Sequence, residues 1–183
     1  MRRALYFLGI LDDRDVEWMM RHGERLIVPP GEHLIRQGRP TEYLYFVLDG
    51  RFVVSTEDAA RVAELKSGDV VGEISFVDAR PPSASVRAEV ESKVGAIPRA
   101  ALQAKLQQDA AFASRFYQSL AIFLADRLRT TTGKLGTGRP ALDEGIEDED
   151  ELAPHLMANI SMAGLRFGEM QRGRWGSLAD RRG

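Results

Sequence analysis

The segment Gly72-Glu73-Ile74-Ser75-Phe76-Val77-Asp78-Ala79-Arg80-Pro81-Pro82-Ser83-Ala84-Ser85-Val86 gathers the groups best suited to handling a ligand. A glycine followed by Glu-Ile-Ser-Phe reads as a single helical turn, and Pro81-Pro82 drives the chain extended after it. The first N–H groups of such a turn have no partner inside it and suit an anion. Ser83 and Ser85 could add hydroxyl donors from the opposite side. Glu73 would repel a phosphate, so its task must differ, such as accepting a hydrogen bond from a ligand hydroxyl. The same stretch also reads as a plain strand–turn–strand crossover with surface serines. Residue types alone leave both readings open.

Catalytic chemistry lacks its parts. With no cysteine there is no thiol nucleophile, no cysteine-ligated zinc, no Fe–S cluster and no disulfide framework. The three histidines, His22, His33 and His155, fall in different segments, none at a metal-binding interval. No G-x-S-x-G turn presents Ser75, Ser83 or Ser85 as a nucleophile. Asp143 to Glu151 holds seven acidic residues in nine, without the alternating ligands and central glycine of a calcium loop. The expectation is a non-enzymatic protein with no metal and no resident cofactor.

The surrounding elements must position the segment. Residues 11–23 read as a short helix capped by Asp12 or Asp13, with Val16, Met19 and Met20 inward and Gly23 at its end. From Glu24 to Pro98 come short β-rich runs: 25–28, 33–35, 43–48, 51–54, 61–65, 85–90 and 93–97. Turn residues punctuate them, including Gly31, Gly38, Asp49-Gly50, Gly68 and Gly72. That pitch predicts an antiparallel sandwich, roll or barrel, with Asp49-Gly50 as the best hairpin signal. Residues 99–135 turn helical, with Leu102, Leu106, Phe112, Phe116, Leu120, Phe123, Leu124 and Leu128 on one stripe. Ala121, Ile122 and Ala125 form a small apolar seam on a second face.

The chain of 183 residues carries 25 Lys+Arg against 27 Asp+Glu, a net charge of −2 that offers no pull toward nucleic acid or anionic membranes. No apolar run is long enough to span a bilayer, and the basic-then-apolar start lacks a cleavage site. A cytoplasmic protein is expected. The acidic block reads as a solvated linker. Leu152, Leu156, Ile160, Ala163 and Phe167 have helical spacing, and a helix there would order only by docking. The Gly- and Arg-rich end from Arg166 to Gly183 is expected to be mobile.

Several of these pieces, in order, resemble the cyclic nucleotide-binding domain of catabolite activators, kinase regulatory subunits and gated channels. They are Pro30-Gly31-Glu32-His33-Leu34-Ile35-Arg36-Gln37-Gly38, Leu44 to Gly50, Ala63 to Glu73, and Ser83-Ala84-Ser85-Val86. The resemblance implies a mainly β fold, an antiparallel β-roll or jelly roll with flanking helices and a long C-terminal helix. The implied organisation is an N-terminal helical segment (1–24), the β-roll (25–111), a dimer helix (112–136), and an acidic linker and tail (137–183).

Carried over residue by residue, Gly72-Glu73-Ile74-Ser75 resembles the start of the phosphate-binding cassette, and Glu73 stands where the family accepts the ribose 2′-OH. Ser83 matches a phosphate-contacting serine, and Ser85 the Thr/Ser position after it. Ala84 lies between them, and Thr131 and Thr132 match residues that reach the adenine, one of them from a partner subunit. The candidate ligand is cAMP or cGMP. Position 82 departs from the pattern: Pro82 stands where the family has its phosphate-binding arginine. Losing one partner of a desolvated charge pair costs on the order of 3–5 kcal/mol, or about two to four decades of affinity. Arg80 or Arg87 could supply the missing charge from another direction.

The activators follow this helix with a DNA-binding domain. Here the chain after Gly136 begins with the acidic block and has no helix-turn-helix pattern, so DNA binding is not expected. The leading reading is a regulatory sensor module that binds a cyclic nucleotide weakly and signals through its C-terminal helix. A ligand-free interaction and dimerisation module on the same fold, or a truncated transcription regulator, are the alternatives. Expected partners are a second copy of the chain and a protein effector at the tail, with neither DNA nor membrane.

Overall fold

The computed structural model describes residues 2–58, 61–136 and 154–176, with side chains at 5–58, 61–130, 132 and 161–176. The acidic block lies outside the described residues. Helix α1 (Arg2–Ile10) leads into α2 (Asp13–His22). Asp12 caps α2 by accepting from the Asp15 N–H at 2.9 Å, and the Asp15 carboxylate accepts from the Asp12 N–H at 2.9 Å. This reciprocal capping box fixes where the helix begins.

Among the described residues eight strands follow: β1 (Glu24–Val28), β2 (His33–Ile35), β3 (Tyr43–Asp49), β4 (Arg51–Ser55), β5 (Arg61–Lys66), β6 (Val70–Val71), β7 (Ser85–Ala88) and β8 (Ser92–Pro98). They pair antiparallel into two sheets, β1-β8-β3-β6 and β2-β7-β4-β5. The expected β-roll with flanking helices is what the chain forms.

Strand β3 explains the layering. Tyr45 and Val47 point between the sheets, where they meet Phe52, Leu65, Val86 and Val94. Leu44, Phe46 and Leu48 point the other way, into a helical layer. A strand buried on both faces is apolar along its length, as 43–48 is. In the helical layer the Phe7 ring meets Phe46 edge-on at 5.2 Å and Phe116 at 5.5 Å.

The strand pairing corrects one expectation. Asp49-Gly50 joins β3 and β4, which lie in different sheets, so it is a corner between layers rather than a hairpin turn. Gly50 has φ +98° with the Ser92 side chain packed against its α-carbon, leaving no room for a Cβ. Ser92 Oγ accepts from the Arg51 N–H at 3.1 Å and donates to the Val90 carbonyl at 2.8 Å. That bond lies in the turn before β8, and β7 ends at Ala88, two residues short of the expected Val90.

Helix α3 (Glu73–Asp78) interrupts the strands, and α4 (Arg99–Gln108) and α5 (Ala110–Gly136) follow them. Asp109 separates the last two, accepting the Phe112 N–H at 2.9 Å. Phe112, Phe116, Leu120 and Phe123 are buried as expected, but Leu128 is 67 % exposed. The inward position at that turn belongs to Arg127, so Leu128 falls off the stripe.

Helix α6 (Pro154–Arg172) docks on its own domain, burying Ala163, Phe167 and Met170 in the helical layer. Arg166 reaches Asp13 at 2.7 Å and the Leu8 carbonyl at 2.9 Å. Trp175 lies over Gly95 and donates to the Met170 carbonyl at 2.8 Å, and the Gly176 N–H reaches the Met20 carbonyl at 2.9 Å. The expectation of a mobile end from Arg166 is therefore corrected through Gly176. Phe167, Met170 and Trp175 supply the apolar surface that holds it.

Candidate ligand site

Gly72 opens α3 in the left-handed region, φ +88°, and a Cβ there would stand 3.1 Å from the Tyr43 carbonyl oxygen. Glycine is required by both conformation and space. The turn sends Glu73 inward, where only 2 % of it remains exposed. Arg127 of α5 meets it there, Nη1 donating to Glu73 Oε1. Burial pushes the Glu73 carboxyl above its usual range, and the nearby Arg127 charge opposes that rise without cancelling it.

The rest of α3 is clamped from α4. Arg99 donates to the Ser75 carbonyl at 2.5 Å and to the Thr41 carbonyl at 3.3 Å, with its guanidinium 5.5 Å from the Phe76 ring centre. Phe76 in turn packs on Phe116 at 5.8 Å. Ser75 is buried, whereas Ile74 and Val77 face outward and are exposed.

After α3, Ala79 takes a left-handed conformation at φ +57° and Arg80 is exposed, its N–H held by Asp78 Oδ1 at 3.0 Å. The Pro82 carbonyl accepts from the Gly38 N–H at 2.9 Å, and Ser85 Oγ accepts from the Gln37 N–H at 3.0 Å. The 36–39 turn is thus laced to the extended segment. Ser83 is exposed and Ala84 packs at the edge of the inter-sheet core. Arg87 is exposed on the face of β7 opposite Val86 and Ala88, which fill the sandwich. Neither Arg80 nor Arg87 is turned into the interior. Thr132 is exposed, and the Thr131 side chain lies outside the described residues.

The structure therefore gathers Gly72, Glu73 and Ser75 in one turn, with Glu73 held from α5 and Ser75 from α4, and ties 82–85 to the 36–39 turn. Sequence reasoning missed Arg127 as a site residue. Its signal was present: it continues the stripe Phe116, Leu120, Phe123 at helical spacing, and a charge on a buried stripe needs a buried counter-charge.

The family model for the cyclic nucleotide-binding domain matches residues 25–109. That stretch, a little under half of the chain, carries the match to the cyclic nucleotide-binding domain. An uncharacterised NTE family protein of Mycobacterium tuberculosis is 34 % identical over 86 residues, 47 % of this chain and 15 % of that protein. The cAMP-activated global transcriptional regulator Vfr of Pseudomonas aeruginosa is 30 % identical over 131 residues, 67 % of this chain and 59 % of Vfr. The chain thus spans only part of the length of these relatives. A cyclic nucleotide-binding domain structure from Methylobacillus flagellatus superposes with a TM-score of 0.67 at 21 % identity, over 79 % of this chain and 86 % of that one. Likeness at that identity establishes the cyclic nucleotide-binding fold. Among the described residues no helix is long and apolar enough to cross a membrane.

Proposed function

We propose that this chain is a non-enzymatic, cytoplasmic regulatory module whose cassette, Gly72 to Ser85, receives a cyclic nucleotide weakly and reports it through α5. The observation that carries this reading is the buried Glu73–Arg127 pair, which joins the first residue of the cassette helix to the long helix. A carboxylate has about four lone-pair sites, so one arginine contact leaves capacity for a ligand hydroxyl. Competition for Glu73 would then alter how Arg127 holds α5. Pro82, in place of an arginine, supports weak rather than tight binding.

The alternative is a ligand-free dimerisation module, favoured by Pro82 and by a Glu73 that already has a partner. Both readings use α5 as the pairing element, with Ala121 exposed and Ile122 and Ala125 half-buried. Hydrogen exchange along α5 separates them. Millimolar cAMP or cGMP should change protection around Arg127 in the unmodified chain and not in Glu73→Gln. No change with either nucleotide would favour the ligand-free module. Sedimentation tests the shared element: the unmodified chain should be a dimer at tens of micromolar, and Ile122→Lys a monomer.

A further inference from the structure

The outer face of the β2-β7-β4-β5 sheet carries a charged row that the cassette does not use. His33 on β2 stands opposite Arg87 on β7, and Arg87 opposite Val53 on β4. Val86 and Ala88 point into the sandwich, so alternation sends Arg87 outward; His33 stands opposite it, and a register shift between His33 and the core residue Ile35 puts those two on different faces. Arg36 follows β2 directly and is exposed. Carboxylates of the same sheet are committed elsewhere. Glu64 pairs with Arg61 at 2.7 Å and Lys66 at 3.7 Å, and Glu89 pairs with Arg61 at 3.2 Å. Among the described residues neither Arg36 nor Arg87 has a carboxylate partner.

Two unneutralised guanidiniums flanking an imidazole form the donor set that a phosphate monoester takes. Planar forks match pairs of phosphate oxygens, and an imidazolium adds a charged donor. We propose that His33, Arg36 and Arg87 form a recognition surface for a phosphate monoester group, on the sheet face turned away from the inter-sheet core. The local electrostatics agree. His33 is held below its usual range first by burial and then by Arg36 and Arg87, and a bound dianion would offset both arginines. The groups facing His33 are Arg36 beside its own strand and Arg87 from β7. Beyond Arg87, β4 presents the apolar Val53, and Glu64 of β5 is already paired.

The test is a pH titration of the His33 ring by NMR on the full chain, at constant ionic strength. It compares chloride, O-phosphoserine, and a phosphoserine peptide, with His22 as the internal reference. The His33 pKa should rise by about half a unit or more with a phosphate monoester. Arg87→Gln should raise the unliganded value and weaken the phosphate response about tenfold, as should Arg36→Gln. A response to O-phosphoserine and peptide alike assigns the surface to free phosphate esters. A response to the peptide alone assigns it to a phosphorylated protein. A shift no larger than chloride produces, or one that persists in the double arginine variant, overturns the proposal.

Discussion

Two arginines of helix α5, Arg115 and Arg127, lie three turns or so apart, and each meets a carboxylate that folding has taken out of water. Arg115 grips Asp15 with two nitrogens, Nε at 2.6 Å and Nη2 at 2.8 Å, while the Asp12 N–H adds a third donor at 2.9 Å. Arg127 reaches Glu73 through one nitrogen. Asp15 is 4 % exposed and Glu73 2 %. The burial is alike and the satisfaction is not. A bidentate, three-donor carboxylate holds its geometry, and the Arg115 charge is correspondingly stabilised. At Glu73, burial outweighs one arginine nitrogen and one backbone hydrogen bond, and the carboxyl is held above its usual range. One helix is thus held to the N-terminal helices through two guanidinium nitrogens at one end and joined to the cassette helix through one further along.

The largest expected effect tests the Arg115 end. Arg115→Ala leaves Asp15 buried without its cation and should cost about 3 kcal/mol in urea unfolding. A cost below about 1 kcal/mol would place the two pairs in the same class and remove the contrast.

Arg127→Ala should cost less, about 1–2 kcal/mol near neutrality, and the cost should depend on pH. The sign follows from the direction at Glu73. Its folded pKa lies above the ordinary 4.5, so the folded chain holds this proton more tightly than the unfolded chain. The contribution to stability is fully present below 4.5 and is lost as pH rises through the folded value. Without Arg127 that folded value moves higher still, so the variant should approach the unmodified chain as pH falls toward the ordinary 4.5. A penalty that is flat from pH 5 to 8 would show that Glu73 is not the group left behind.

Glu73→Gln should have the smallest effect, about 1 kcal/mol, because the amide keeps an acceptor for Arg127, whose side chain is 25 % exposed and so is partly solvated without its counter-charge. An equally conservative Asp15→Asn should cost more, since its neutral amide cannot serve two guanidinium nitrogens and a backbone N–H as a carboxylate does.

How much of this could be read before folding differs by region for physical reasons. Strand positions and the turn at Gly72 were legible because alternation and a left-handed glycine are local properties of the chain. The corner at Gly50 was not, because whether a tight turn makes a hairpin or a change of sheet depends on Ser92, forty residues away in sequence. The docking of α6 was half legible. Leu152 to Phe167 showed the spacing, but the grip of Trp175 on Gly95 joins two distant segments with no local signature. At the site, Glu73 and its helix were visible from their spacing. Arg127 showed only as a charge continuing a buried stripe, and its partner could not be named because it lies across the fold. Pro82 remains the residue on which the reading of ligand affinity rests, with both candidate replacement arginines on the surface.

Calorimetric titration of the unmodified chain and of Pro82→Arg with cAMP and cGMP tests that reading most directly. The account predicts a dissociation constant above about 10 µM for the unmodified chain, and tightening of about tenfold or more when the cationic fork is restored. Nanomolar binding by the unmodified chain, or an affinity that Pro82→Arg leaves unchanged, would contradict it.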